Sequence, residues 1–234
     1  MVEIINTDYT QYVDLIGTAH FTKRSISDAY DAVTSLKPKD IALELDWRRF
    51  QQLSGHCIHC SQYGICQGIC EFTGAADALG NVNANIWLID MSEHDMRFRI
   101  MKGRYSWERK PRFQPLYRYA HRNPVRLWEQ GYKEQVIEDS KRMIEYNRQI
   151  SPSVWRVLID ERNAMMAARL SWIITTQLSE DTIPHVLALV GAAHVEGIQI
   201  LLKDPQLIRS NLRAYQLSFT EPTLIRRVAV TSAA

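Results

Sequence analysis

Two histidines, one towards each end of the chain, stand in the same local setting. Val13-Asp14-Leu15-Ile16-Gly17-Thr18-Ala19-His20 and Val186-Leu187-Ala188-Leu189-Val190-Gly191-Ala192-Ala193-His194 both run from apolar residues through a glycine and two short residues to an imidazole. Gly17 and Gly191 let the backbone turn sharply where an apolar strand ends. The imidazoles then fall at strand carboxyl ends, where open α/β sheets bind ligands.

Carboxylates occupy similar positions. Ile41-Ala42-Leu43-Glu44-Leu45-Asp46 reads as an apolar strand with Glu44 inside it and Asp46 on the same face by the period of two. A carboxylate there is costly to bury without a partner. The bland reading is an ion pair with Arg48 or Arg49; beside two Gly-x-x-His turns a ligand or general-base role stands level with it. Asn85-Ile86-Trp87-Leu88-Ile89-Asp90 delivers a further carboxylate to a strand end. His20, Glu44, Asp90 and His194 together, with Glu71, Arg49 and Glu161 near them, have the composition of a hydrolytic metal site: two imidazoles, one or two carboxylates and an open position. A metal there would lower the pKa of bound water, and a second carboxylate would serve as base.

A second candidate site is local. All four cysteines, Cys57, Cys60, Cys66 and Cys70, lie within 14 residues, with His56 and His59 as spare donors. Clustering this tight is unlike a disulfide framework spread over a secreted fold and reads as a structural zinc knuckle. An iron-sulfur cluster is the less favoured metal reading, and a loop of reduced or disulfide-bonded thiols is the bland alternative.

Several elements must position these groups. A strand over Tyr12–Ile16 precedes a helix from Ser25-Ile26-Ser27-Asp28 to about Leu36, and the strand over 41–46 follows, so a β-α-β order predicts parallel pairing. Glu71 to Ala78 reads as a helix of small residues. Glu134–Gln149 is a solvated amphipathic helix, ended by Ser151-Pro152-Ser153. A long helix over Val154–Leu178 carries Glu161 and Arg162, which point at the site or at each other. Val186 to Val190, apolar throughout, reads as a strand buried on both faces, followed by a helix from about Val195 to Lys203 and an edge strand at Leu217-Ser218-Phe219. The fold class is α/β: a mainly parallel β-sheet with flanking helices, two strand-GxxH-helix units and a helical, lid-like insertion. One domain over 1–234 is expected, with a Cys-rich insertion at 55–70 and a basic, aromatic helical segment at 97–150.

Composition fits this. The chain has 234 residues, 46% of them hydrophobic and 23% charged, enough to bury a core. A net charge of +2 does not by itself argue for nucleic acid or a membrane surface. From Arg97 to Trp128, ten basic residues face one acid, Glu108, with aromatics interleaved. Single-stranded nucleic acid binding uses such a pattern. The rest of the chain is mildly acidic, so a lid over an anionic site is the favoured reading and nucleic acid the minority one. No signal peptide and no membrane-spanning run is visible, so the expected compartment is the cytoplasm, with membrane association only through a partner. A homo-oligomer is left open.

The ordered set of motifs resembles the TraB/PrgY family, within the group that includes the Tiki, GumN, erythromycin-esterase-like and ChaN-like proteins. The resemblance rests on Gly17-Thr18-Ala19-His20 with Ser25, Glu44-Leu45-Asp46 with Arg49 and Leu53, and Glu71-Phe72 before Ala75-Ala76. It continues through Ile89-Asp90, Glu161-Arg162 and Val190-Gly191-Ala192-Ala193-His194-Val195 with Gly197-Ile198. It implies an α/β fold with its site on strand ends. For the Tiki branch it implies a divalent-metal protease using manganese or cobalt; for the PrgY branch, shutdown of a peptide pheromone by cleavage or sequestration. Carried over by position, it puts a metal or catalytic role on His20, Glu44 and His194 and a supporting one on Arg49, Glu71 and Glu161. Asn163 stands where aspartate usually follows Glu-Arg, Met91 stands where arginine commonly follows the strand aspartate, and the cysteine insertion has no counterpart.

Overall fold

A computed structural model of the chain describes residues 7–20, 22–51, 71–79, 84–103, 105–108, 124–180 and 182–225. The cysteine cluster, most of the basic, aromatic stretch between 109 and 123, and the side chain of Glu71 lie outside the described residues.

Five strands form one sheet in the order β1-β4-β2-β3-β5, where β1 is Val13–Thr18, β2 is Asp40–Leu43, β3 is Asn85–Leu88, β4 is Val186–Gly191 and β5 is Thr223–Ile225. The first four are mutually parallel and β5 pairs antiparallel with β3. The edge strand is therefore β5 rather than Leu217–Phe219. Leu217 and Phe219 instead pack against Met91, Met96, Val157 and Met165, so their alternating apolar pattern serves a side cluster and not a ladder.

β4 lies between β1 and β2 and is buried along its whole length, which is why its sequence is continuously apolar and does not alternate. Val186, Ala188 and Val190 face one core; Leu187 and Leu189 face the other. Helices cover both faces. On the first lie α7 (Arg162–Ser179), α8 (Ala192–Lys203) and α9 (Pro205–Ala214); on the second lie α1 (Lys23–Leu36) and α2 (Glu71–Ala78). α7 is rich in Ala and Met and buried around most of its circumference, as a helix without a polar face must be.

Two further groups of helices flank the sheet's carboxyl end. α3 (Glu93–Gly103) follows β3. α4 (Pro124–Glu129) and α5 (Lys133–Ile150) precede the short α6 (Pro152–Trp155), which runs through a π-helical turn at Arg156–Glu161 into α7. The long helix expected over 154–178 is thus interrupted by one wide turn. No helix among the described residues is long and apolar enough to cross a membrane.

Candidate functional site

Register brings the two glycine turns together. Gly17 pairs with Val190 and Thr18 with Gly191 across the parallel β1–β4 ladder, so both chains leave the sheet side by side. Gly191 is needed for its size: a Cβ there would lie 2.9 Å from His20 Nε2 and 3.3 Å from Glu44 Oε2. At Gly17 a Cβ would meet Val195 Cγ2 at 3.0 Å. The first turn is held from α1, where Ser25 Oγ accepts from Ala19 N–H and donates to Ala19 O, both at 3.1 Å. Thr22 caps that helix and donates to Ser25 Oγ at 2.7 Å.

Glu44 sits one residue past β2, almost fully buried. Its Oε2 accepts from the Gly191 N–H at 2.5 Å. Its Oε1 faces both histidines: His194 Nε2 is 3.5 Å away and His20 Nε2 is 3.8 Å away. His20 is open to the pocket, its side chain 41% exposed, while His194 is buried in the first turn of α8.

Arg162, at the start of α7, organises the floor. Its Nη2 donates to Glu44 Oε1 and, at 2.6 Å, to Asp90 Oδ2; its Nε lies 3.0 Å from Asp90 Oδ1. Nη1 reaches His194 Nε2 at 3.0 Å. Arg49 adds a second guanidinium to Asp90 at 2.5 Å and is itself fixed by Asp46, whose Oδ1 takes the Arg49 N–H at 2.7 Å and whose Oδ2 takes the Glu93 N–H at 2.6 Å. Burial alone would raise the Asp90 pKa, but Arg162 and Arg49 outweigh it and hold the carboxyl well below the usual range. Burial likewise opposes the Arg162 charge, yet Asp90 and Glu44 secure it.

His194 is a neutral base. Burial, with the Arg162 charge beside it, pushes its pKa down to about 4 despite Glu44. Its Nδ1 is 2.7 Å from Asn163 Oδ1. An amide oxygen can only accept, so Nδ1 carries the proton and Nε2 presents its lone pair to the site. A carbonyl-type partner on the far nitrogen is how ligating histidines are usually oriented. Gly197 makes room for it: a Cβ there would lie 2.1 Å from Asn163 Nδ2.

A pocket of about 300 Å³ opens above these groups, floored by His20, Glu44, Arg162 and His194 and roofed by Trp128, Val136, Ile137 and Ser140 of α4 and α5. Trp128 packs with Ala19 and Ala192, one from each turn. A second cavity of about 480 Å³ adjoins at Ala193, between α5 and α8. Of the segment from Arg97 to Trp128, α4 lies over the site through Trp128, and α5, which follows it and reads in sequence as a solvated helix, adds Val136, Ile137 and Ser140.

Not every expected residue is in the constellation. Glu161 turns away from it and is buried between Arg99 and Arg156. Asp90, Asp46 and Arg49 brace Arg162 and do not line the pocket. Asn163, which holds His194 Nδ1, and Trp128, which packs with Ala19 and Ala192, stand out in the sequence only as a motif departure and as one aromatic among several.

Among the described residues no three His, Cys, Asp or Glu side chains form a ready-made ligand cage. The donors at Glu44 still suit a divalent ion in type, two imidazoles and a carboxylate. Glu44 Oε1 is 3.5 Å from His194 Nε2 and 3.8 Å from His20 Nε2, each somewhat wider than the roughly 3.3 Å between tetrahedral ligands at zinc distances. The Arg162 fork rests on two of the three donor atoms, Glu44 Oε1 and His194 Nε2.

Residues 118–206 match the TraB/PrgY/gumN family. This span includes Trp128, Arg162, Asn163, Gly191, His194 and Gly197. An uncharacterized protein of Methanocaldococcus jannaschii is 27% identical over 218 residues, covering 81% of this chain and 53% of that protein. The chain therefore spans about half the length of that relative.

Proposed function

We propose that this chain, whose residues 118–206 carry the TraB/PrgY/gumN pattern, is a metal-dependent hydrolase acting on a small peptide. The observation that carries the reading is the convergence of His20 Nε2 and His194 Nε2 on one oxygen of Glu44, at 3.8 and 3.5 Å, at the carboxyl end of a parallel sheet. His20, Glu44 and His194 would hold the ion, manganese, cobalt or zinc. Bound there, it would supply an activated water and polarise a substrate carbonyl. Asn163 keeps His194 in the ligating tautomer, and Arg162 neutralises the floor carboxylates. The roof of Trp128, Val136 and Ile137 suits an apolar side chain, and the adjoining cavity beside α5 gives room for further residues.

Elemental analysis of chelator-free protein tests the reading. Wild type is expected to hold one ion per chain that a His20→Ala/His194→Ala variant lacks, and the variant is expected to cleave no peptide. Metal content and cleavage unchanged in the variant would refute it. A peptide- or anion-sequestering module without turnover is the second reading, favoured by Asn163 and Met91 where the resembled pattern has aspartate and arginine. Steady product release from any peptide by metal-loaded protein excludes it.

A further inference from the structure

We infer that Arg162 is a resident cation which the metal must displace, so that this residue sets how tightly the site takes an ion. The inference rests on the metal-site reading above and goes beyond it. Arg162 Nη1 lies 3.0 Å from His194 Nε2, the lone pair a metal would need, and Nη2 donates to Glu44 Oε1, the oxygen both imidazoles face. A guanidinium is planar, permanently charged and rigid as a fork. It cannot share those two atoms with an ion bound to both.

Arg162 has a second carboxylate partner on its other edge. Its Nε and Nη2 engage both oxygens of Asp90, at 3.0 and 2.6 Å. Asp90 is in turn held by Arg49 and by the Met91 N–H, at 2.5 and 2.7 Å. Because the fork is rigid, it leaves His194 and Glu44 only by moving as a unit towards Asp90, which also gives up the 3.2 Å Nη1 bond to Leu158 O. The guanidinium-bound arrangement is one state of a two-state site, and the affinity for an ion is reduced by the fraction of molecules in the other.

Arg162→Lys keeps the charge that Asp90 and Glu44 require but has a single nitrogen, which cannot hold Asp90 and also cap His194. Calorimetric titration with Mn2+ alone is the measurement, because manganese prefers oxygen and nitrogen donors over the thiolates of residues 57–70. The Arg162→Lys protein is expected to bind Mn2+ about tenfold tighter than wild type. Equal or weaker binding in the variant overturns the inference and leaves the metal site standing. Binding in neither, or binding that survives His194→Ala, overturns the metal reading itself and the inference with it. Arg162→Gln is the replacement if the lysine variant does not fold. Crystals of wild type soaked in Mn2+ decide independently: an ion on His194 with Arg162 Nη1 still beside Nε2 refutes the displacement.

Discussion

Gly197→Ala sets two effects of opposite sign against each other. Alanine is favoured over glycine inside a helix by about 1 kcal/mol, and Gly197 lies in the interior of α8. The new methyl, however, would sit 2.1 Å from Asn163 Nδ2 and 3.1 Å from its Cγ. Flipping the amide does not help, because an oxygen would then occupy the same place and the bond to His194 Nδ1, now 2.7 Å, would be lost. The side chain has to leave. Overpacking of this kind costs about 1–3 kcal/mol, and stranding a buried ring N–H adds about 1–3 kcal/mol. Steric and polar costs together exceed the propensity gain, leaving a net loss of about 3 kcal/mol. For a chain of this size that lowers the melting temperature by about 6–12 °C. Loss of the Asn163 contact also frees the His194 tautomer, and outer partners of this type are worth about tenfold or more in metal affinity. Thermal unfolding by circular dichroism, with Mn2+ titration of the folded variant, checks both. A variant that melts at or above wild type would show that helix propensity wins and that Asn163 is not confined as described.

Three further outcomes follow from the same geometry. Asp90→Asn removes the carboxylate shared by Arg162 and Arg49 and should cost about 3–5 kcal/mol in urea unfolding; a loss under about 1 kcal/mol would mean that the two guanidiniums find other partners. Glu161→Gln should lower stability, because Arg99 and Arg156 lose a buried carboxylate. Its Mn2+ affinity should stay within about twofold of wild type, since Glu161 does not reach the pocket; a larger change would return Glu161 to the site. In metal-stripped protein, His194 titrates near 6.5 when unfolded and at about 4 when folded, so between those values the unfolded chain binds more protons and stability rises with pH. Roughly 3 kcal/mol should be present above pH 6.5 and lost towards pH 4, and His194→Gln should abolish that part of the slope. An unchanged pH profile in the variant would place the titration elsewhere.

The parts of the fold legible in sequence were those with one physical cause. A strand buried on both faces has no polar alternation to hide it, so Val186–Gly191 declared itself, and the paired Gly-x-x-His turns followed from it. Glu44 was conspicuous because a carboxylate in an apolar run needs a reason. Other features depend on cooperation that no local pattern carries. Glu161 and Arg162 are neighbours in sequence, yet one is buried between Arg99 and Arg156 and the other reaches Glu44, Asp90 and His194. The π turn that ends at Glu161 separates them, and an α-helical period drawn through 154–178 cannot show it. Leu217 and Phe219 alternate as a strand would, but they meet a methionine-rich side cluster before they meet a strand partner. Asn163 read as a departure from a motif, although its amide oxygen supplies the contact that fixes His194.

The roof and the first histidine depend on a single helix. Glu129, at the end of α4, accepts from the Lys23 and Arg24 N–H groups at 2.6 and 3.1 Å, satisfying two donors that the start of α1 otherwise leaves open. Lys133, at the start of α5, pairs with Asp28 of α1 at 2.6 Å while its ammonium lies over the Trp128 ring. The same first turn of α1 carries Ser25, which holds both backbone groups of Ala19 and so sets the chain leading into His20. A carboxylate at a helix start and a partly buried ion pair are each worth only about 1 kcal/mol. The polar ties of the roof are therefore weak, and what holds it down is the burial of Trp128, 1% exposed, against Ala19 and Ala192; the Ser25 contacts keep the turn before His20 in place. An apolar ligand entering under Trp128 would replace that packing with its own, so the cover yields only to a ligand of matching polarity while the floor keeps its groups in register.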